Sequence, residues 1–194
     1  MREFIVYSAT ASTAPIIKDL KGAGRIDILL HSIISALFAS NEMRQDVKLH
    51  LILMGPPNAP RHITLEYNKD NTISKKDMKK LIEMALRKCK PGQIKEIHPG
   101  VFVDDKKIEF LVDEMKNDSK NLFVLDAYGT LAKEIVQEKK DLFENPVFIL
   151  GDHEGFDKQT KKFLKKNTNR LSLGPQMYLT SQAITILNYE LDNL

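Results

Sequence analysis

The chain has 194 residues, 42% hydrophobic and 28% charged, which suits one buried core and argues against a second domain. Its net charge is only +3, and its single cysteine, Cys89, excludes an internal disulfide and any multi-cysteine metal site. No apolar run approaches the ~18 residues of a membrane span, and the first residues lack the basic-then-apolar pattern of a secretory leader. A single cytoplasmic α/β domain over 1–194, with no metal and no membrane partner, is the expectation.

Glu3 to Tyr7 reads as a short buried strand, followed by a loop rich in Ser, Thr and Ala that runs through Pro15. From Ile26 onward, Leu29, Leu30, Ile33, Ile34, Leu37 and Phe38 recur at three- and four-residue spacing, the stripe of an amphipathic helix. Val47 to Met54 is a strand stopped by the proline-rich loop from Gly55 to Pro60, and His62 to Tyr67 alternates as a strand does. Ser74 is placed to cap a helix reaching about Lys90, with Met78, Leu81, Ile82, Ala85 and Leu86 facing inward.

In the second half, Val101 to Val103 is a strand candidate and Lys106 to Met115 a helix. Leu122 to Leu125, Pro146 to Leu150 and Arg170 to Leu173 are three brief strands, and an apolar helix begins at Thr180. Strands alternating with helices predict a parallel-rich sheet with helices on both faces. There is no internal repeat and no linker.

Two turns stand out. Leu150-Gly151-Asp152-His153-Glu154-Gly155 closes an apolar run, and Leu171-Ser172-Leu173-Gly174-Pro175-Gln176 closes a short strand. Taken singly, each is ordinary punctuation that uses Gly for its backbone freedom. Together they leave main chain bare at the ends of neighbouring strands, where open α/β sheets bind ligands. Nearer the N-terminus, Gly24-Arg25-Ile26-Asp27 opens a helix, where an acid in the first turn suits the dipole. Basic residues fall in two helical clusters. One holds Lys75, Lys76, Lys79, Lys80, Arg87, Lys88 and Lys90; the other holds Lys158, Lys161, Lys162, Lys165, Lys166 and Arg170. Such faces are either solvated surface or a phosphate-binding surface for folded RNA.

The order of these motifs resembles the cofactor-binding end of SPOUT methyltransferases and, among them, the archaeal-type TrmY family, over essentially the whole chain. The resemblance implies a C-terminal trefoil knot, a homodimer paired through the last helix, and S-adenosylmethionine as methyl donor. It implies a tRNA substrate methylated on N1 of pseudouridine at position 54 of the T-loop. It places the cofactor against Leu125, Gly151, Leu171, Ser172, Leu173, Gly174, Pro175, Gln176 and Ala183. The family often carries cysteine where this chain has Ala183. Asp27 becomes a candidate base for N1 or an orienting residue, and Arg25 a candidate for holding a phosphate or the uracil carbonyl.

Other chemistries lack their signatures: there is no phosphate loop, dinucleotide fingerprint, nucleophile elbow or His-Glu-x-x-His pair. The alternatives are a ribosomal-RNA pseudouridine methyltransferase, a non-catalytic RNA-binding protein of the same fold, and a methyltransferase of uridine or guanosine.

Overall fold

A computed structural model describes residues 1–40, 42–70, 74–138 and 140–194. The chain runs β1 (Arg2–Ser8), α1 (Ile26–Leu37), a small hairpin of β2 (Phe38–Ala39) and β3 (Glu42–Met43), then β4 (Val47–Leu53) and β5 (Arg61–Glu66). It continues through α2 (Met78–Lys88), β6 (Lys95–His98), β7 (Val101–Asp104) and α3 (Ile108–Asn117). The remainder is β8 (Asn121–Leu131), α4 (Ala132–Glu138), β9 (Pro146–Gly151), α5 (Lys158–Asn167), β10 (Asn169–Ser172) and α6 (Thr180–Asp192).

One eight-stranded sheet has the order β10-β8-β9-β1-β4-β5-β7-β6. The five strands from β10 to β4 are mutually parallel. The rest, β5, β7 and β6, pair antiparallel at one edge. The sheet is thus mostly parallel, as the alternation of elements predicts. The β4–β5 and β6–β7 pairs follow from short connections, since hairpins need no crossover helix, whereas β5 and β7 pair across the intervening α2 and β6.

Alternation along the buried strands sends side chains to two cores. Phe4, Val6, Phe148 and Leu150 face α1, α2 and α6 through Leu29, Leu81 and Ile184. Ile5, Tyr7, Val147 and Ile149 face α3 and α5 through Leu111, Val112 and Leu164. Helices therefore cover both faces, and near-continuous apolar strands are the consequence. On the first face, Phe148 stacks between Phe4 and Phe123 at centroid distances of 5.6 and 5.8 Å.

Two local readings change. Ser74 does not cap a helix amide: its hydroxyl donates to the Asp77 carboxylate at 2.6 Å, and a tight turn over Lys75–Asp77 precedes α2. The strand read as Leu122 to Leu125 continues to Leu131, with an interruption described below. Of the apolar positions on α6, Ile186 and Leu191 are part-buried, and the exposed ones are Leu179 just before it and Tyr189 within it.

A polar chain crosses the second face. Lys120 Nζ donates to Glu3 Oε1 at 2.7 Å, Glu3 Oε2 lies 3.1 Å from His50 Nε2, and His50 Nδ1 lies 2.9 Å from His62 Nε2. Asp104 Oδ1 ends it, 3.0 Å from His62 Nδ1. Burial opposes the Glu3 charge, but the hydrogen bonds from His50 and Lys120 outweigh it and hold the carboxyl down at about 2. Burial lowers His50 to about 4.

Candidate active site

The parallel strands end on one side of the sheet, and there β8, β9 and β10 part to form a crevice of about 430 Å³. That size lies within the range of small-molecule sites. Its wall on β8 comes from an interruption in pairing. Against β10, Val124 is level with Arg170, yet Leu171 is level with Thr130, so residues 125 to 129 leave the ladder as one excursion. Gly129 permits the return, because a Cβ there would lie 2.6 Å from the Leu171 main chain. Asp126-Ala127-Tyr128-Gly129 looks like a turn in the sequence. It is a turn inside a strand.

The loop after β9 forms the second wall. Asp152 is buried, accepting the Ser8 hydroxyl on Oδ2 and the Glu154 amide on Oδ1 at 2.9 Å. Ser8 Oγ in turn accepts the Ala11 amide at 3.0 Å, so the end of β1 fixes this loop. Gly151 serves the turn before any ligand: an added Cβ would sit 2.7 Å from Gly155 Cα. Its carbonyl accepts the Thr180 hydroxyl at 2.8 Å, tying the start of α6 to the same point.

The third wall is the segment after β10. Ser172 is buried, and its Oγ accepts the Gly174 amide at 3.1 Å. Gly174 has φ of 111°, a conformation that disfavours any side chain. At both Gly155 and Gly174 the place of a Cβ is open space, leaving main chain uncovered in the crevice. α5 completes the enclosure. Its N-terminus is fixed by Asp157, which accepts the Gln159 and Thr160 amides and the Tyr7 hydroxyl at 2.6 Å. Burial opposes the Asp157 charge, but the hydrogen bonds from Thr160 and Tyr7 prevail, lowering it to about 2.

Of the residues placed at the cofactor in the sequence, Leu125, Gly151, Leu171, Ser172, Leu173, Gly174, Gln176 and Ala183 line this crevice. Pro175 does not line it and is exposed. Arg25 and Asp27 lie outside the lining and pair with each other, Nε to Oδ1 at 3.0 Å and Nη2 to Oδ2 at 2.9 Å. Arg25 has left-handed backbone, φ 62° and ψ 43°, directly before α1. The Arg25 hydrogen bond lowers the proton affinity of Asp27, which makes it a weaker base than a free carboxylate.

Sequence reasoning missed Ser8, Asp126, Asp152 and Thr180, whose partners lie up to 144 residues away. It also placed Lys161 and Lys165 only on a basic face, whereas both line the crevice. In the other cluster, Lys79 and Lys80 have acidic neighbours in Glu83 and Asp77, while Lys76, Arg87, Lys88 and Lys90 are exposed. Among the described residues, no group of three His, Cys, Asp or Glu could hold a metal ion, and no helix is long and apolar enough to cross a membrane.

A mostly parallel sheet with a ligand-sized crevice at its strand ends defines an α/β protein that binds a small molecule beside a basic surface. The chain belongs to the SAM-dependent RNA methyltransferase family, whose model matches residues 1–194. This agrees with the resemblance to the TrmY family. A tRNA (pseudouridine(54)-N(1))-methyltransferase of Thermococcus kodakarensis is 33% identical over 204 residues, covering 100% of both chains. One of the same name from Methanopyrus kandleri is 34% identical over 196 residues, covering 99% of this chain and 93% of its own. Among solved structures, Archaeoglobus fulgidus Nep1 bound to S-adenosylhomocysteine shares the fold. Its TM-score is 0.71 at 13% identity, covering 99% of this chain and 97% of that one.

Proposed function

We propose that this chain transfers a methyl group from S-adenosylmethionine to N1 of pseudouridine 54 in the T-loop of tRNA. The observation that carries it is full-length likeness to relatives of that name, joined to a crevice built from the strand-end loops. The crevice suits the donor. It has an apolar inner wall at Leu150, Leu171 and Ala183, and uncovered main chain at Gly155 and Gly174 to meet the edge of a flat base. Bound there, S-adenosylmethionine would supply a methyl group already activated on sulfur. The protein's work is positioning and exclusion of water.

Arg25 is suited to hold an RNA phosphate or the uracil carbonyl, with Asp27 keeping the guanidinium in one plane through their two-pronged pair. Because that pairing weakens Asp27 as a base, its role in this reading is to orient Arg25, and the N1 proton leaves to solvent. The exposed cations of α2 offer the phosphate-binding surface.

The family resemblance brings three further elements. A C-terminal trefoil knot is supported by α6 docking on α1, where Asn188 Nδ2 donates to Ser35 O at 3.0 Å, while its first residue holds Gly151. A homodimer is supported by exposed Met177, Tyr178, Leu179 and Tyr189 around α6, apolar area that a second copy would cover. A cytoplasmic location fits a tRNA substrate. With labelled S-adenosylmethionine, the chain should label tRNA that contains pseudouridine and not the same transcript made with uridine. Equal labelling of both would overturn the substrate assignment.

A further inference from the structure

The crevice has two chemically different ends. Its inner wall is apolar and buried, with Leu150, Leu171 and Ala183 all under a tenth exposed. Its rim is charged, with Lys161 and Lys165 one turn apart on α5 and Asp126 on the excursion of β8.

The Asp126 carboxylate is held by one end only. Oδ1 accepts the Tyr128 amide at 3.0 Å. Oδ2 faces Lys165 Nζ at 3.9 Å and Arg170 Nη1 at 3.8 Å, both beyond hydrogen-bond reach. Among the described residues, Oδ2 accepts no hydrogen bond, although the side chain is only 15% exposed. The rim therefore carries an acceptor with spare capacity beside a lysine donor that is itself about half exposed, at 48%. The Tyr128 amide anchors the Asp126 carboxylate within the excursion, and Asp157 caps the helix that bears Lys165.

An ammonium and a carboxylate carried on one carbon match such a pair. Charged groups are costly to bury, so a charged ligand end belongs at a half-exposed rim and an adenosine at the apolar wall. Asp152 and Glu154 also line the crevice, on the loop after β9, whereas Lys165 and Arg170 are the two cations that face Asp126 Oδ2, so at this point a ligand carboxylate meets two cations and an ammonium one carboxylate.

We propose that Lys165 and Asp126 bind the α-carboxylate and α-ammonium of the methionine end of S-adenosylmethionine. This rests on the methyl-donor reading of the crevice. It assigns Lys165 to the small molecule rather than to RNA, the alternative that its place in a lysine-rich helix suggests.

The test is calorimetry without RNA, using two ligands that share an adenosine: S-adenosylhomocysteine, which keeps the amino-acid end, and 5′-methylthioadenosine, which lacks it. The unmodified protein should prefer S-adenosylhomocysteine. Lys165→Met and Asp126→Asn should each weaken that ligand about tenfold, the effect of losing one charge-assisted hydrogen bond, and leave methylthioadenosine within about twofold. In Asp126→Asn the amide side chain retains an oxygen for the Tyr128 amide, and Lys165→Arg should restore the preference, so a general loss of folding is distinguishable. Equal losses for both ligands, or an unchanged affinity for S-adenosylhomocysteine in Lys165→Met, would overturn the proposal while leaving the donor reading intact. Failure of the unmodified protein to bind either ligand would overturn both.

Discussion

Replacing Ser8 with alanine deletes one hydroxyl and two hydrogen bonds at the joint between β1 and the crevice. The hydroxyl donates to Asp152 Oδ2, and its oxygen accepts the Ala11 amide at 3.0 Å. Both ends are buried, with Ser8 only 1% exposed, so water cannot replace the missing partner without opening the loop. A buried polar group left without its partner costs about 1–3 kcal/mol, and two such groups sharing one site are not fully additive. The expected loss is about 3 kcal/mol, which for a chain of this size lowers the melting temperature by roughly 6–12 °C. Asp152 retains the Glu154 amide, so the fold should persist with a loosened wall and weaker binding of S-adenosylhomocysteine. Urea denaturation and calorimetry on the same preparation measure both effects. A stability loss under about 0.5 kcal/mol, the scale of a neutral surface change, would refute the argument that this joint fixes the crevice.

Acid should destabilise the protein well before ordinary carboxylates titrate. His50 is held near 4 when folded and Glu3 near 2, against ordinary values of 6.5 and 4.5. In both, the folded form holds its proton less tightly, so stability present at neutral pH is lost as pH falls from 6.5 to 4 and then from 4.5 to 2. A urea midpoint unchanged between pH 7 and 4 would contradict this. Gly151→Ala should lower the melting temperature and ligand affinity together, since its Cβ meets Gly155 at 2.7 Å; weaker binding at an unchanged melting temperature would point to direct ligand contact instead. Arg25→Ala and Asp27→Asn should slow single-turnover methylation by similar factors, with the double variant little worse than either single one, because the two act as a pair. Full additivity would show that they act separately. If α6 pairs two copies as proposed, the unmodified chain should sediment as a dimer and Leu179→Asp, at a side chain 66% exposed, as a folded monomer; a monomeric unmodified chain would refute the dimer.

Most of the framework is legible because its physics is local. The stripe from Ile26 to Leu37 and the apolar runs ending at Leu53 and Gly151 carry period and length enough to name helix and strand. β6 is not legible: of its four residues only Ile97 is buried, so an edge strand of Lys95, Glu96 and His98 leaves no apolar trace. The excursion at 125 to 129 reads as a strand end because its cause, the close passage of Gly129 against Leu171, is a contact between distant segments. The same holds at the crevice. Glycine turns announce where main chain is uncovered. Nothing local reveals that Asp152 meets Ser8 or that Asp126 faces Lys165.

The proposed reaction alters one atom of one nucleotide. The most direct measurement incubates the protein and S-adenosylmethionine with a mixture of fully pseudouridylated tRNA and ribosomal RNA, followed by nuclease digestion and mass spectrometry of the fragments. The expected product is one added methyl, as N1-methylpseudouridine, in the T-loop fragment containing position 54. A methyl on ribosomal pseudouridine instead, or on any other atom of the T-loop, would contradict it.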